Sequence, residues 1–186
     1  MKILHLDTSI NGDASASRRI SAEAVRRLLS QHPEAEVIRR DLAEAPLPHL
    51  TLAEFASGES QAALAEFKAA DVVVIGTGMY NFTIPTQLKA WIDRILIAGQ
   101  TFRYSEAGVE GLAGGKRVIV ALARGGYYPE GSPMAPLEHA ETYLRAVFAF
   151  IGIDTVEIVA ADGTALPPAR DESISRAEER AASLAA

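Results

Sequence analysis

Apolar residues follow two alternating rhythms along this chain. The first is the short continuous run: Lys2 to Leu6, Asp71 to Gly76, Arg117 to Ala123 and Thr155 to Ala160. Runs of this length, rich in Val and Ile, predict strands buried on both faces. Glu36 to Arg39 alternates polar and apolar residues, which predicts a strand at a sheet edge. The second rhythm has the helical spacing of three to four. It runs from Ser15 to Leu29, where Ile20, Ala24, Val25, Leu28 and Leu29 share a face. It returns in two short stretches of 51–69 around Ser57-Gly58, then over Thr86 to Ala98, Met134 to Phe150 and Pro168 to Leu184. Gly152 stops the fifth of these helices, and Pro46 and Pro48 keep residues 41–50 in a loop. Residues 99–115 are glycine-rich and irregular, with Thr101-Phe102-Arg103-Tyr104 as a small strand.

Five strands alternating with helices predict a parallel sheet with right-handed crossovers. At 186 residues this is one domain, 1–186, with a sizeable core. The natural solution is a flavodoxin-like three-layer α/β sandwich whose five parallel strands run in the order 2-1-3-4-5.

Composition narrows the function. Hydrophobic residues make up 48% of the chain, so it can bury a core. A net charge of −6 gives no general footprint for nucleic acid. There are no cysteines, which removes disulfides and thiolate chemistry and suits a reducing compartment. Met1 to Asp7 is too short and too soon polar for a signal peptide, and no apolar run reaches membrane-spanning length. The expectation is a soluble cytoplasmic protein.

Three loops that follow apolar strands carry the candidate chemistry. The first, Asp7 to Ser17, leads into a helix. Helix N-termini expose amides and a positive dipole end, and Ser9, Ser15 and Ser17 add hydroxyls, which suits a phosphate. Serine also caps helices without any ligand, and the loop is neither a Walker A nor a G-x-G-x-x-G motif. The second loop is Gly78-Met79-Tyr80-Asn81-Phe82. Here Gly78 allows an unusual backbone path or a close approach. Main-chain groups from Met79 to Phe82, together with the Asn81 amide, can bond a heteroaromatic edge. Alternatively, Met79 and Phe82 are core residues. The third loop, Ala123-Arg124-Gly125-Gly126-Tyr127-Tyr128, offers a backbone that passes close under a planar ring and two tyrosines as walls, or else a plain turn.

In a 2-1-3-4-5 sheet the ends of strands one, three and four converge on one crevice. Three such loops there fit a mononucleotide, FMN best of all. The four histidines show no metal-ligand spacing, no metal site is expected, and no protein nucleophile stands out. That is the expectation when a cofactor carries the chemistry.

Met79-Tyr80-Asn81-Phe82, Ile84-Pro85-Thr86-Gln87-Leu88-Lys89, Gly99-Gln100-Thr101-Phe102-Arg103-Tyr104 and Arg124-Gly125-Gly126 together resemble the FMN-dependent NADH-azoreductases, also called FMN-dependent NADH:quinone oxidoreductases. The resemblance implies a homodimer with FMN at the subunit interface. It implies Ser9, Ser15, Ala16 and Ser17 at the phosphate end. Met79, Tyr80, Asn81 and Phe82 would line the flavin, with Ala123, Arg124, Gly125 and Gly126 beside its ring. Phe102, Tyr104, Tyr127 and Tyr128 become candidate walls of the substrate pocket, some from the partner subunit. NADH, or NADPH, would then reduce a quinone or azo compound in two half-reactions. The alternative is a flavodoxin-type electron carrier. Ala123 replaces a frequent serine of the family and Tyr128 a histidine of some members. The segment before the Met79 loop is short for the family.

Overall fold

The computed structural model describes residues 1–106 and 108–185. In chain order the elements are β1 Lys2–Asp7, α1 Ala16–Gln31, β2 Glu36–Asp41, α2 Leu52–Phe55, α3 Gly58–Ala69 and β3 Val72–Gly78. There follow α4 Thr86–Ile95, β4 Phe102–Ser105, β5 Gly108–Gly111, β6 Arg117–Ala123, α5 Ala140–Phe150, β7 Val156–Ala161 and α6 Ala169–Ala182. The main sheet is parallel with the order β2-β1-β3-β6-β7, which is 2-1-3-4-5 counted over its own strands.

Alternate residues of each central strand serve opposite cores, because successive side chains of a strand point to opposite faces. Ile3, Val72, Val74 and Ile119 pack with Ile20, Leu28 and Ile174 of α1 and α6. Leu4, Leu6, Val73, Ile75 and Val120 pack with Phe67, Leu88, Trp91, Leu144 and Phe148 of α3, α4 and α5. Both faces of the sheet are therefore covered, as the continuous apolar runs predicted. The last helix buries the stripe Ile174, Ala177 and Ala181 and leaves its charges outside.

Three local expectations are corrected. Helix α4 stops at Ile95, not Ala98, because the Thr101 hydroxyl donates to the Ile95 carbonyl at 2.6 Å and accepts from the Ile97 amide at 3.0 Å. Those bonds replace the next helical turn. Helix α5 starts at Ala140, not Met134. Pro136 sits in a separate 3-10 turn, Ala135–Leu137, and the His139 amide is held by the Phe82 carbonyl at 2.9 Å. The small strand has an antiparallel partner, β5, that its sequence did not announce.

This β4-β5 hairpin lies at the amino-terminal end of the parallel strands. Helix α5 runs back to that end, where its last residue, Phe150, meets Phe102 with ring centroids 4.8 Å apart. The Ala113 amide bonds the Ile151 carbonyl at 2.9 Å just before β6 begins.

Candidate functional site

The carboxyl ends of β1, β3 and β6 each release a loop on the same side of the sheet. After β1, Thr8 is fastened to the neighbouring strand: its amide bonds Gly76 O at 3.0 Å and its hydroxyl donates to Thr77 Oγ1 at 2.9 Å. Ser9 follows, 2% exposed. Ser15 caps α1 by accepting the Arg18 amide at 3.3 Å, and its hydroxyl lies 3.1 Å from that of Ser17. Among the described residues, the amides of Ala16 and Ser17 have no acceptor, as expected at the start of a helix. Arg18 donates to Ser9 O at 3.0 Å and pairs with both carboxylate oxygens of Asp41, so it braces the loop from below.

Beneath this corner sits Asp7, 1% exposed. It accepts from Ser21 Oγ at 3.1 Å and Arg39 Nη2 at 3.0 Å, and His5 Nε2 is 3.5 Å away. Burial alone would raise its pKa. The hydrogen bond and charge of His5, with the bonds from Arg39 and Ser21, outweigh burial and hold the carboxyl below its ordinary range. The network lies directly over Gly76, where a Cβ would come within 2.6 Å of Ser21 Oγ and 2.7 Å of Asp7 Oδ1.

The second loop is a two-residue hairpin turn. Tyr80 N bonds Thr83 O at 2.8 Å and Thr83 N bonds Tyr80 O at 3.2 Å. Asn81 and Phe82 both have positive φ, +47° and +74°, the primed turn geometry that usually calls for Asn-Gly. The unusual backbone path therefore belongs to these two residues and not to Gly78. Gly78 serves the close approach: a Cβ there would stand 3.1 Å from the Tyr80 ring. Tyr80 links the first two loops, its hydroxyl 3.3 Å from Ser9 Oγ and accepting the Ile10 amide at 3.2 Å.

A phenylalanine at φ +74° is strained by about 1–2 kcal/mol. Phe82→Gly is therefore expected to stay within about 1 kcal/mol of the parent, since relief of strain offsets the greater chain entropy. Phe82→Val, β-branched at the same backbone angle, is expected to lose about 2 kcal/mol. Urea unfolding midpoints give the order. A valine variant as stable as the glycine variant would contradict the strain.

The third loop is stitched to a fourth, after β7. Gly163 N bonds Gly126 O at 3.0 Å, Thr164 N bonds Arg124 O at 3.0 Å, and Ala165 N bonds Gly125 O at 3.2 Å. Gly163 has φ +70°, and a Cβ there would stand 2.5 Å from the Tyr127 ring, so any other residue would be strained and would have to push that ring aside. The Arg124 guanidinium turns away to Asp162 at 2.5 Å, Glu141 at 3.4 Å and Glu138 at 3.6 Å. Its role is to hold α5 and β7 together at this loop.

These loops enclose a cleft of about 330 Å³. Of the predicted residues, Ser9, Ser15, Ala16, Ser17, Met79, Tyr80, Ala123 and Gly125 line it. Asn81 and Phe82 form the turn next to Tyr80, a Cβ on Gly126 would stand 3.5 Å from the Tyr128 ring, and Tyr127 covers Gly163; none of these five lines the cleft. Phe102 and Tyr104 are not brought to the cleft: the hairpin puts them at the other end of the sheet.

The sequence reading missed Thr164, Ala165 and Arg170, which come from the loop after β7 and the start of α6. Of these, only Arg170, a cation at a helix start where acidic residues are favoured, left a sequence signal. It also placed too many free amides. Those of Met79, Tyr80 and Arg124 are taken by Ala123 O, Thr83 O and Ala161 O, whereas among the described residues those of Asn81, Phe82, Gly125 and Gly126 have no acceptor.

A larger groove, about 710 Å³, lies between α3 and α4, lined by Phe55, Leu64, Ile97 and others. It is away from the strand ends, and position in the sheet outweighs size here. Among the described residues no group of three His, Asp or Glu is placed to hold a metal ion.

A 2-1-3-4-5 parallel sheet with a hydroxyl-rich cleft at its crossover point defines a flavodoxin-like protein, and a family profile described as flavodoxin-like fold matches residues 1–185. The chain belongs to that family, within the group of the FMN-dependent NADH:quinone oxidoreductases and azoreductases. It is 54% identical to an FMN-dependent NADH:quinone oxidoreductase of Methylorubrum populi over 202 aligned positions, covering 100% of both chains. It is 50% identical to one of Gluconobacter oxydans, covering 99% of this chain and 100% of the other. An FMN-dependent NADH-azoreductase from Bacillus anthracis, solved in complex with FMN, superposes with a TM-score of 0.86 at 28% identity, covering 100% and 99% of the two chains.

Proposed function

We propose that this chain is an FMN-dependent NADH oxidoreductase that reduces quinones and azo compounds. The observation that carries this is the cleft at the ends of β1, β3 and β6. Its α1 corner offers the hydroxyls of Ser9, Ser15 and Ser17 and, among the described residues, the free amides of Ala16 and Ser17 and no carboxylate in the lining. That donor set fits a phosphate monoester. FMN held there would supply two-electron hydride chemistry between NADH and the acceptor, in separate half-reactions.

The protein's own part is to bind and orient. Met79, Tyr80, Ala123 and Gly125 wall the cleft, and the free amides of Asn81, Phe82, Gly125 and Gly126 are donors for the polar edge of a ring. Donors fixed in advance stabilise negative charge that develops on such an edge. Tyr127 and Tyr128 shape the side where the acceptor enters.

In this reading the protein is a homodimer. Phe102 and Tyr104 can wall a flavin pocket only if they come from a partner, because their own cleft is at the far end of the sheet. The hairpin surface supports this: Tyr104 is 72% exposed, and Val109, Leu112 and Phe150 are exposed beside it. A cysteine-free chain suits the cytoplasm. No helix among the described residues is long and apolar enough to cross a membrane.

The test is spectroscopic. Protein incubated with FMN and desalted is expected to stay yellow. NADH is expected to bleach the flavin band, and menadione to restore it with sustained NADH oxidation. A yellow protein that NADH cannot bleach would be an electron carrier instead. A colourless one would end the flavin assignment.

A further inference from the structure

Arg170 is the one charged side chain that lines the cleft among the described residues. It stands at the start of α6, partly exposed, and reaches across the mouth of the cleft. Nη1 donates to Thr164 O at 3.0 Å and Nη2 to Ala14 O at 3.1 Å. Those bonds fix the guanidinium between the loop after β7 and the turn before α1. Ala14 immediately precedes the Ser15 cap, so the cation is anchored beside the positive end of α1.

The arrangement differs from that of four other arginines anchored at the sheet. Arg18, Arg39, Arg117 and Arg124 each face a carboxylate. Arg170 has no carboxylate partner among the described residues, in a chain of net charge −6. Its two hydrogen bonds go to neutral carbonyls and occupy two of its five N–H donors. Its charge and its remaining donors are left beside the hydroxyls of Ser15 and Ser17.

We infer that Arg170 is the specificity residue by which this cleft distinguishes a flavin bearing a terminal phosphate from the same flavin without it. The inference rests on the flavin assignment above. Ring-facing loops bind FMN and riboflavin alike, since the two differ only in the phosphate ester. The serine hydroxyls and helix amides can donate to either a phosphate or water. A guanidinium without a counterion gains most from a dianion, through short charge-assisted bonds.

The test is a pair of titrations on the apoprotein, with FMN and with riboflavin, read by quenching of flavin fluorescence. Arg170→Met keeps most of the apolar stem. It is expected to weaken FMN about tenfold or more while riboflavin stays within about twofold. Arg170→Lys, which keeps the charge but not the planar fork, is expected to fall between. The salt dependence of FMN affinity is expected to flatten in the Met variant. Equal losses for both flavins would mean that Arg170 only ties the two loops together, and would overturn the inference, as would no change for either. If the parent binds FMN and the Met variant keeps the same preference, the inference alone fails. If the parent binds neither flavin, the functional assignment fails with it.

Discussion

Asp7→Asn is expected to lower the unfolding free energy by about 3 kcal/mol, the scale for removing one member of a buried charge network. Asparagine has the shape of aspartate, so the loss is of charge and not of volume. Arg39 and His5 would lose the anion they face, and Ser21 would lose its acceptor or have to turn. Arg18 would keep Asp41 but lose the second carboxylate, 3.9 Å away.

The pH dependence has a definite sign. The folded carboxyl titrates below its ordinary value, so its contribution is complete above about pH 4, the unfolded pKa, and is lost as pH falls through the lower folded pKa. Urea midpoints measured from pH 3 to 7 should show an acid decline in the parent that is shallower in the Asn variant. A variant within about 0.5 kcal/mol of the parent at pH 7 would mean that the network is solvated enough not to matter.

Gly111→Ala is the second large effect. A Cβ at this position would stand 2.1 Å from Gly152 N and 2.2 Å from the Ile151 carbonyl carbon. Both are backbone atoms that no rotamer change can move. The base of the hairpin must lift from the end of α5, taking Phe102 off Phe150, at about 3 kcal/mol. For a chain of this size that is about 6–12 °C in melting temperature. The cleft lies at the other end of the sheet, so FMN retention is expected to survive. Quinone turnover is expected to fall at least tenfold, and light scattering to show weaker dimerisation, because in the proposed homodimer the displaced hairpin is the one offered to the partner. Unchanged turnover with a displaced hairpin would remove Phe102 and Tyr104 from the pocket.

Much of this was legible in the residues. The runs Val72 to Ile75 and Val118 to Leu122 are apolar on both faces, which only a covered central strand satisfies. Once the strand order follows, three loops must share one edge, and Ser9, Ser15, Ser17, Met79, Tyr80 and Gly125 meet there. What escaped was long-range or atypical. Strand β5 is Gly108-Val109-Glu110-Gly111, with one apolar residue and two breakers, and it exists because β4 pairs with it. Asn81 gave half of a primed-turn signal, but Phe82 hid the other half, and Gly78 drew the attention instead. Arg170 is 161 residues from Ser9, and nothing local in its helix says that it turns back to the first loop.

The Arg124 cluster is acidic on balance. Two guanidiniums there, Arg124 and Arg145, meet three carboxylates, Asp162, Glu138 and Glu141, so one negative charge is left over on that flank. On the α1 side stands the single positive charge of Arg170. The cleft therefore has a polarity. An elongated molecule with an anionic tail and a neutral head is steered to enter in one orientation, tail toward α1 and head toward β6, before any close contact forms.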